Sequence, residues 1–228
     1  MQWQSRVRLV DEVAAVLRDR IYAGDFPPGM RIRQEQLAAE LDISRTPLRE
    51  ALRVLEREGL LRVEPKQGVR VISADLPTLL AAYEVREVLD GLAARLAARH
   101  STEELVRELG EIVDRQRTTL EPWDAVHYTE ANVEFHAAII RAAGNEFLTA
   151  QLPLVPMTAQ VFTPVARAEP SRAERAVTEH VGIAEAIAAG NEKAAERRAR
   201  AHIRATIEPL AATASEEDMP AAAEAVGE

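Results

Sequence analysis

The sequence predicts a mainly α-helical protein with an N-terminal winged helix-turn-helix followed by a helical domain. Three observations predict it. A helix, a tight turn and a second helix can be read between Gln34 and Leu61, and two short β-like runs with a basic tip follow directly. From Asp75 onward the chain is a succession of long helical patterns almost free of β-branched clusters.

The first helix of the motif has one narrow apolar face, made by Leu37, Ala38 and Leu41. It ends at Asp42-Ile43-Ser44, where Ile43 plugs the angle between the helices and Ser44 is placed to cap the next one. Pro47 falls in the first turn of the second helix, where a missing amide proton costs little. Leu48, Ala51, Leu52 and Leu55 continue the inward stripe and leave Arg45, Thr46, Arg49 and Arg53 on or beside the opposite face. In a helix-turn-helix the N-terminal residues of the second helix reach base edges, so Arg45, Thr46 and Arg49 are placed for guanine and phosphate contacts on double-stranded DNA. Gly59 can end this helix. The β-like runs Leu60 to Val63 and Val69 to Ile72 flank Pro65-Lys66-Gln67-Gly68, which reads as a wing from which Lys66 and Arg70 approach phosphate or the minor groove. The competing reading is a packing module whose exposed arginines are merely solvated.

Charge is distributed to match. The chain carries a net −9, yet residues 1–73 hold 13 basic and 11 acidic side chains, leaving 15 basic and 26 acidic for the remaining 155 residues. The local potential at the recognition helix counts for more than the total, because salt screens exposed charges over about 8 Å. There is no cysteine, hence no disulfide or thiolate ligand, and no apolar run suited to a membrane span or signal peptide. A cytoplasmic protein is expected.

The domain boundary falls near Ser73-Ala74-Asp75, giving a DNA-binding domain over 1–73 and a helical domain over 76–212. Helices are expected at about 76–99, 102–118, 124–143, 146–163, 171–189 and 192–212. Gly144-Asn145 and Gly190-Asn191 each combine a helix stop with a capping residue, and Pro164 and Pro170 bound one loop. Residues 213–228 are acidic, Ala-rich and without aromatics, which predicts a disordered tail.

Helical bundles build their ligand and metal sites between facing helices, so polar residues on faces that should be buried are the informative ones. His136 lies one turn after Asn132. His180 sits among Val177, Val181, Ile183 and Ile187, and His202 beside Ile203 and Ile207. Three imidazoles from three helices with one oxygen donor suit a divalent ion such as zinc or nickel, with positions left for water or a ligand. Against this stands the ordinary fate of such histidines as hydrogen-bonded core residues. His100 and His127 fit no such pattern. A metal-dependent enzyme is a further alternative, disfavoured because Glu134 and Glu179, each adjacent in sequence to a ligand candidate, are turned about 100° away on their helices.

The chain resembles a GntR-family transcription regulator. The residues that carry the resemblance are Phe26-Pro27-Pro28-Gly29, Leu37-Ala38, Ser44 through Leu52, Glu58-Gly59-Leu60 and Gly68. It implies that Arg45 and Arg49, with Ser44, Thr46 and the wing tip Lys66, Gln67 and Gly68, contact an operator. Glu35 departs from members that carry a DNA-reading arginine there. The second half resembles the ligand-binding domain of the FadR-type branch, on Val85 through Asp90, Phe135-His136, Ala143-Gly144-Asn145, Glu179-His180 and His202. This implies an antiparallel bundle of six or seven helices, a metal held by Asn132, His136, His180 and His202, and a small organic acid as effector near Arg86. Asn132 stands where an aspartate is usual, which makes the ligand set all neutral. Arg86, with Tyr83 one turn before it and Asp90 one turn after, either clamps a carboxylate or forms an exposed ion pair with Asp90. The implied regulator is a homodimer, since one recognition helix covers only a few base pairs. Its operator binding responds to a carboxylate metabolite, with the metal ion itself as the alternative signal.

Overall fold

The structure, a computed structural model, describes residues 2–64, 68–162 and 169–217. Its contacts divide the chain into two units, residues 1–74 with 151–169, and residues 75–150 with 170–228.

In the first unit a helix α1 (Gln2–Tyr22) precedes the motif and turns Val10, Val13, Ala14, Leu17 and Ile21 inward at helical spacing. The motif follows as β1 (Arg31–Ile32), α2 (Gln34–Glu40), α3 (Arg45–Arg57), β2 (Leu61–Glu64) and β3 (Gly68–Val71). Leu48, Ala51 and Leu55 of α3 are wholly buried, as their spacing requires. Ser44 occupies the position before α3 but its side chain makes no capping bond, so the cap expected there is not formed. Gly59 takes φ 77° after the last residue of α3, and the amides of Gly59 and Leu60 fold back onto the carbonyls of Glu56 and Leu55. That left-handed position is open to glycine at no steric cost. The wing strands pair antiparallel in the register Leu61↔Val71 and Val63↔Val69, and β1 adds on the other side of β3.

The described residues of the second unit form helices and their connections. It contains α4 (Leu76–Arg99), α5 (Glu103–Thr118), α6 (Ala125–Ala142), a single turn α7 (Glu146–Thr149), and, after the excursion to the first unit, α9 (Pro170–Ala188) and α10 (Glu192–Glu217). Both Gly-Asn pairs act as the sequence predicts. Gly144 and Gly190 adopt positive φ, and the Asn145 and Asn191 side chains accept from amides of the following helices. The long helices α4 and α10 pack along one another, and α5 lies against α6 and α9.

The helix expected over 146–163 is replaced by α7, α8 (Leu154–Pro156) and a π-helical turn over Met157–Phe162. Pro153 and Pro156 break the regular ladder there. Val161 is 1% exposed within the core of the DNA-binding unit, and Met157 packs against that core. By their contacts residues 151–169 therefore group with the first unit. At the other end α10 runs to Glu217, beyond the start of the expected tail at 213. Residues 218–228 lie outside the described residues.

Candidate functional sites: an arginine-lined groove and a buried histidine cluster

Ser44, Arg45, Thr46 and Arg49 are all exposed at the start of α3. Arg45, Thr46 and Arg49, with Gly68, border an open groove that is also lined by Arg31, Arg33 and Glu35; Ser44 is not among its lining residues. Arg45 donates to Glu35 at 3.3 Å across it, an exposed pair that salt screens readily. Glu35 thus occupies the α2 side of the groove with a carboxylate. Arg31 and Arg33 are missing from the sequence reading, although Arg31-Ile32-Arg33 alternates as an edge strand should, with Ile32 buried and both arginines exposed. Arg70 donates to Glu64 Oε2 at 3.0 Å and to the Gly29 carbonyl at 2.9 Å, tying the wing to the turn before β1. Lys66 and Gln67 lie outside the described residues.

In the bundle, His136, His180 and His202 occupy buried-face positions of α6, α9 and α10 and converge until one nitrogen of each lies within 4.8 Å of the others. Each ring is oriented by an oxygen on its Nδ1. His136 Nδ1 lies 3.1 Å from Asp90 Oδ2, His180 Nδ1 2.9 Å from Gln116 Oε1, and His202 Nδ1 2.6 Å from Glu179 Oε2. Gln116 is fixed in turn by donating to the Ala131 carbonyl at 3.2 Å, which leaves its oxygen facing His180. Phe135 stacks on the His180 ring with centroids 4.1 Å apart.

These partners decide the tautomers. A proton on Nδ1 that is given to a carboxylate or an amide oxygen leaves Nε2 as the lone-pair nitrogen. His180 Nε2 and His202 Nε2 then face each other at 3.3 Å, two lone pairs with no proton between them. Burial disfavours a compensating proton. Desolvation first, then the other imidazoles and the nearby arginines, holds His180 and His202 well below 6.5, and His136 is lowered the same way despite Asp90. A cation shared by the nitrogens removes the conflict. Zinc–nitrogen bonds of about 2.0–2.1 Å give a tetrahedral edge of about 3.3–3.4 Å, so the His180–His202 separation matches that of two ligands on one divalent ion, and three neutral imidazoles suit its chemistry.

Arg86 and Tyr83 are both buried, and the Arg86 guanidinium lies 5.8 Å from the Tyr83 ring centre. Arg86 donates to Asp90 at 2.7 Å with both side chains no more than 5% exposed, so the pair is formed, but as a buried one rather than the exposed pair considered from spacing. Burial alone would raise the Asp90 carboxyl, but Arg86 and His136 outweigh it and hold Asp90 well below the usual range. Asn132 is half-buried, one turn before His136 on α6. Glu134 pairs with Arg115 at the surface, whereas Glu179 reaches from α9 to His202 on α10 and acts as its support. Gln116 could have been found in the sequence, as a polar residue on the stripe Leu105, Leu109, Ile112, Val113. Arg172, which donates to Glu179 at 3.1 Å, to the His202 carbonyl at 3.3 Å and to Thr206 at 2.9 Å, carries no such signal.

Residues 9–71 match the family model "Bacterial regulatory proteins, gntR family", and residues 81–205 match the model "FCD domain". The chain belongs to the GntR family. This GntR member is 31% identical over 147 residues to the gluconate operon transcriptional repressor of Bacillus licheniformis, covering 64% of this chain and 60% of that relative. It is 32% identical over 200 residues to a protein of Paenarthrobacter nicotinovorans named "Probable D-xylose utilization operon transcriptional repressor", covering 85% and 86%. The McbR/YncC structure of E. coli superimposes with a TM-score of 0.78 at 22% identity, covering 90% of this chain and 98% of that one, which speaks to fold alone. The chain thus spans about 60% of the length of the gluconate repressors it matches. The matched families and relatives are transcriptional regulators, not enzymes.

Proposed function

We propose that the protein is a homodimeric, cytoplasmic repressor that binds operator DNA through α3 and the wing, and is released from it by a small carboxylate metabolite bound at a metal ion in the bundle. The observation that carries the effector half is the convergence of three imidazoles whose Nδ1 atoms are all committed to oxygens, leaving three lone-pair nitrogens aimed at one another. His136, His180 and His202 would hold the ion, with the Asn132 carbonyl as a fourth, neutral donor. Bound there, zinc or nickel would supply a positive centre for an acid group. Gln116, Glu179, Asp90 and Phe135 hold the imidazoles in place. A ligand set of three imidazoles and an amide leaves the ion its full formal charge of +2, which weakens its own retention and strengthens its pull on an anion. Metal and carboxylate should therefore bind cooperatively.

On the DNA side Arg45, Thr46 and Arg49 read base edges and phosphates, the resemblance adds Ser44, Lys66, Gln67 and Gly68 as contacts, and Arg31 and Arg33 supply further phosphate contacts from the groove they line with Arg45, Thr46, Arg49 and Gly68. Dimerisation is favoured by the α4 face, where Val85 and Val88 are 52% and 55% exposed one turn apart. The relatives named gluconate operon transcriptional repressors act, by that name, on the operon of a carboxylate sugar acid.

An electrophoretic shift with the DNA upstream of the protein's own gene tests this reading. The protein is compared with and without chelator, with added zinc or nickel, and with a panel of lactate, malate, succinate and gluconate. Release by an acid only when metal is present is expected. Release by metal alone would instead make the ion the signal.

A further inference from the structure

We propose that Arg172 holds the acid group of the bundle's ligand, and that this ligand is a dicarboxylate bound between the imidazole-held metal and the Arg172 guanidinium. The proposal rests on the metal-and-carboxylate reading above and narrows it to one side chain and one class of acid.

Two arginines adjoin the cluster, each opposed to a carboxylate that also holds a histidine. Arg86 pairs with Asp90, which meets His136, and Arg172 pairs with Glu179, which meets His202. They differ in exposure. The Arg86 side chain is 3% exposed and the Arg172 side chain 19%. Arg172 makes its bonds to Glu179, the His202 carbonyl and Thr206 through one nitrogen, Nη2. Its Nε and Nη1 are buried without a hydrogen-bond partner among the described residues. Those two nitrogens carry three of the five N–H donors of a guanidinium, and buried donors without acceptors are rare and disfavoured. A carboxylate is the acceptor that suits them best, because its oxygens accept charge-assisted bonds that a neutral group cannot match.

Arg172 also belongs to the histidine site. It bonds the backbone of His202 and the carboxylate that orients the His202 ring. It acts as well on Tyr128, which burial raises to about 12 against the opposing pull of this arginine.

The charge balance gives the class of acid. Arg86 with Asp90 and Arg172 with Glu179 are each an opposed pair, and imidazoles that ligate an ion do so as neutral rings. A divalent ion therefore brings an uncompensated +2 into a largely buried site. A monocarboxylate cancels half of it and a dicarboxylate all of it, and burial penalises whatever remains. A ligand with one acid group on the ion and the other on the free donors of Arg172 satisfies both the charge and the hydrogen bonds.

Calorimetric titration of chelator-stripped, zinc-reloaded protein with succinate and with butyrate tests this, since the two share a four-carbon chain and differ in the second carboxylate. Succinate should bind on the order of tenfold tighter or more, the preference should vanish in Arg172→Gln, and it should be reduced in Arg172→Lys, which keeps the charge and loses the fork. Thermal unfolding checks the folding of both variants, and if Arg172→Gln fails to fold, Arg172→Lys decides by the same comparison. Equal affinity for the two acids in the wild type, or a full preference for succinate surviving in the variants, overturns the proposal and leaves the carboxylate reading intact. If neither succinate and butyrate nor lactate, malate and gluconate bind, both readings fall.

Discussion

Acidifying the metal-free protein from about pH 7.5 to about pH 5.5 should destabilise it steeply, by an amount set by the buried imidazoles. His180 and His202 are held well below 6.5 in the folded protein, by desolvation first and by neighbouring positive groups second. In the unfolded chain they protonate near 6.5. Between the folded and unfolded values the unfolded chain binds more protons, so stability is complete above 6.5 and falls as the pH drops below it. At one unit below the unfolded value, each imidazole that stays neutral in the fold costs about 1.4 kcal/mol, so the pair costs about 3 kcal/mol at pH 5.5. His136 adds a smaller share in the same direction. Glu179, raised from 4.5 by burial against the pull of Arg172, works the other way and offsets part of the loss at the acid end. Urea unfolding in chelator across this pH range measures the effect, and zinc at a hundredfold excess over its Kd should restore about 2.7 kcal/mol where protons do not yet compete. An unfolding free energy that stays flat between pH 7.5 and 5.5 would refute the claim that these imidazoles are buried and neutral.

Arg45→Ala and Arg49→Ala should each weaken operator binding by about 1–3 kcal/mol without changing thermal stability, because both side chains are exposed; fluorescence anisotropy with labelled DNA reads the first and calorimetry the second. Phe135→Ala should cost about 3–5 kcal/mol in unfolding free energy and also loosen zinc, since Phe135 is wholly buried and stacked on His180; a loss of stability with unchanged zinc affinity would separate packing from support of the ring. Val85→Asp with Val88→Asp should convert the dimer to monomer in sedimentation velocity while leaving the helical content unchanged.

Much of this was legible in the sequence because the signals were local. Leu48, Ala51 and Leu55 recur at helical spacing and are buried, and Gly59, Gly144 and Gly190 fall where helices stop. The histidines could be singled out because a polar ring on an apolar stripe breaks a pattern that spans only a few residues. Asp90 was visible as a partner for Arg86, since the two lie one turn apart, but its bond to His136 joins separate helices and has no signature along either. The expected helix over 146–163 failed for the opposite reason. Its composition is compatible with a helix, but Pro153 and Pro156 break the backbone and Val161 finds burial in the other unit.

The sequence by itself determined that this chain carries an arginine-fronted recognition helix and a helical domain with three inward histidines, because helical periodicity fixes which face each residue shares with its near neighbours. Only the tertiary structure decided that Gln116 and Glu179 fix the tautomers of His180 and His202, that Arg172 keeps two buried nitrogens without a hydrogen-bond partner among the described residues, and that residues 151–169 group with the DNA-binding unit. Gln116 and His180 are 64 residues apart along the chain, and the length of chain between them says nothing of whether an amide oxygen and a ring nitrogen will meet at 2.9 Å. That meeting is settled by how the helices pack.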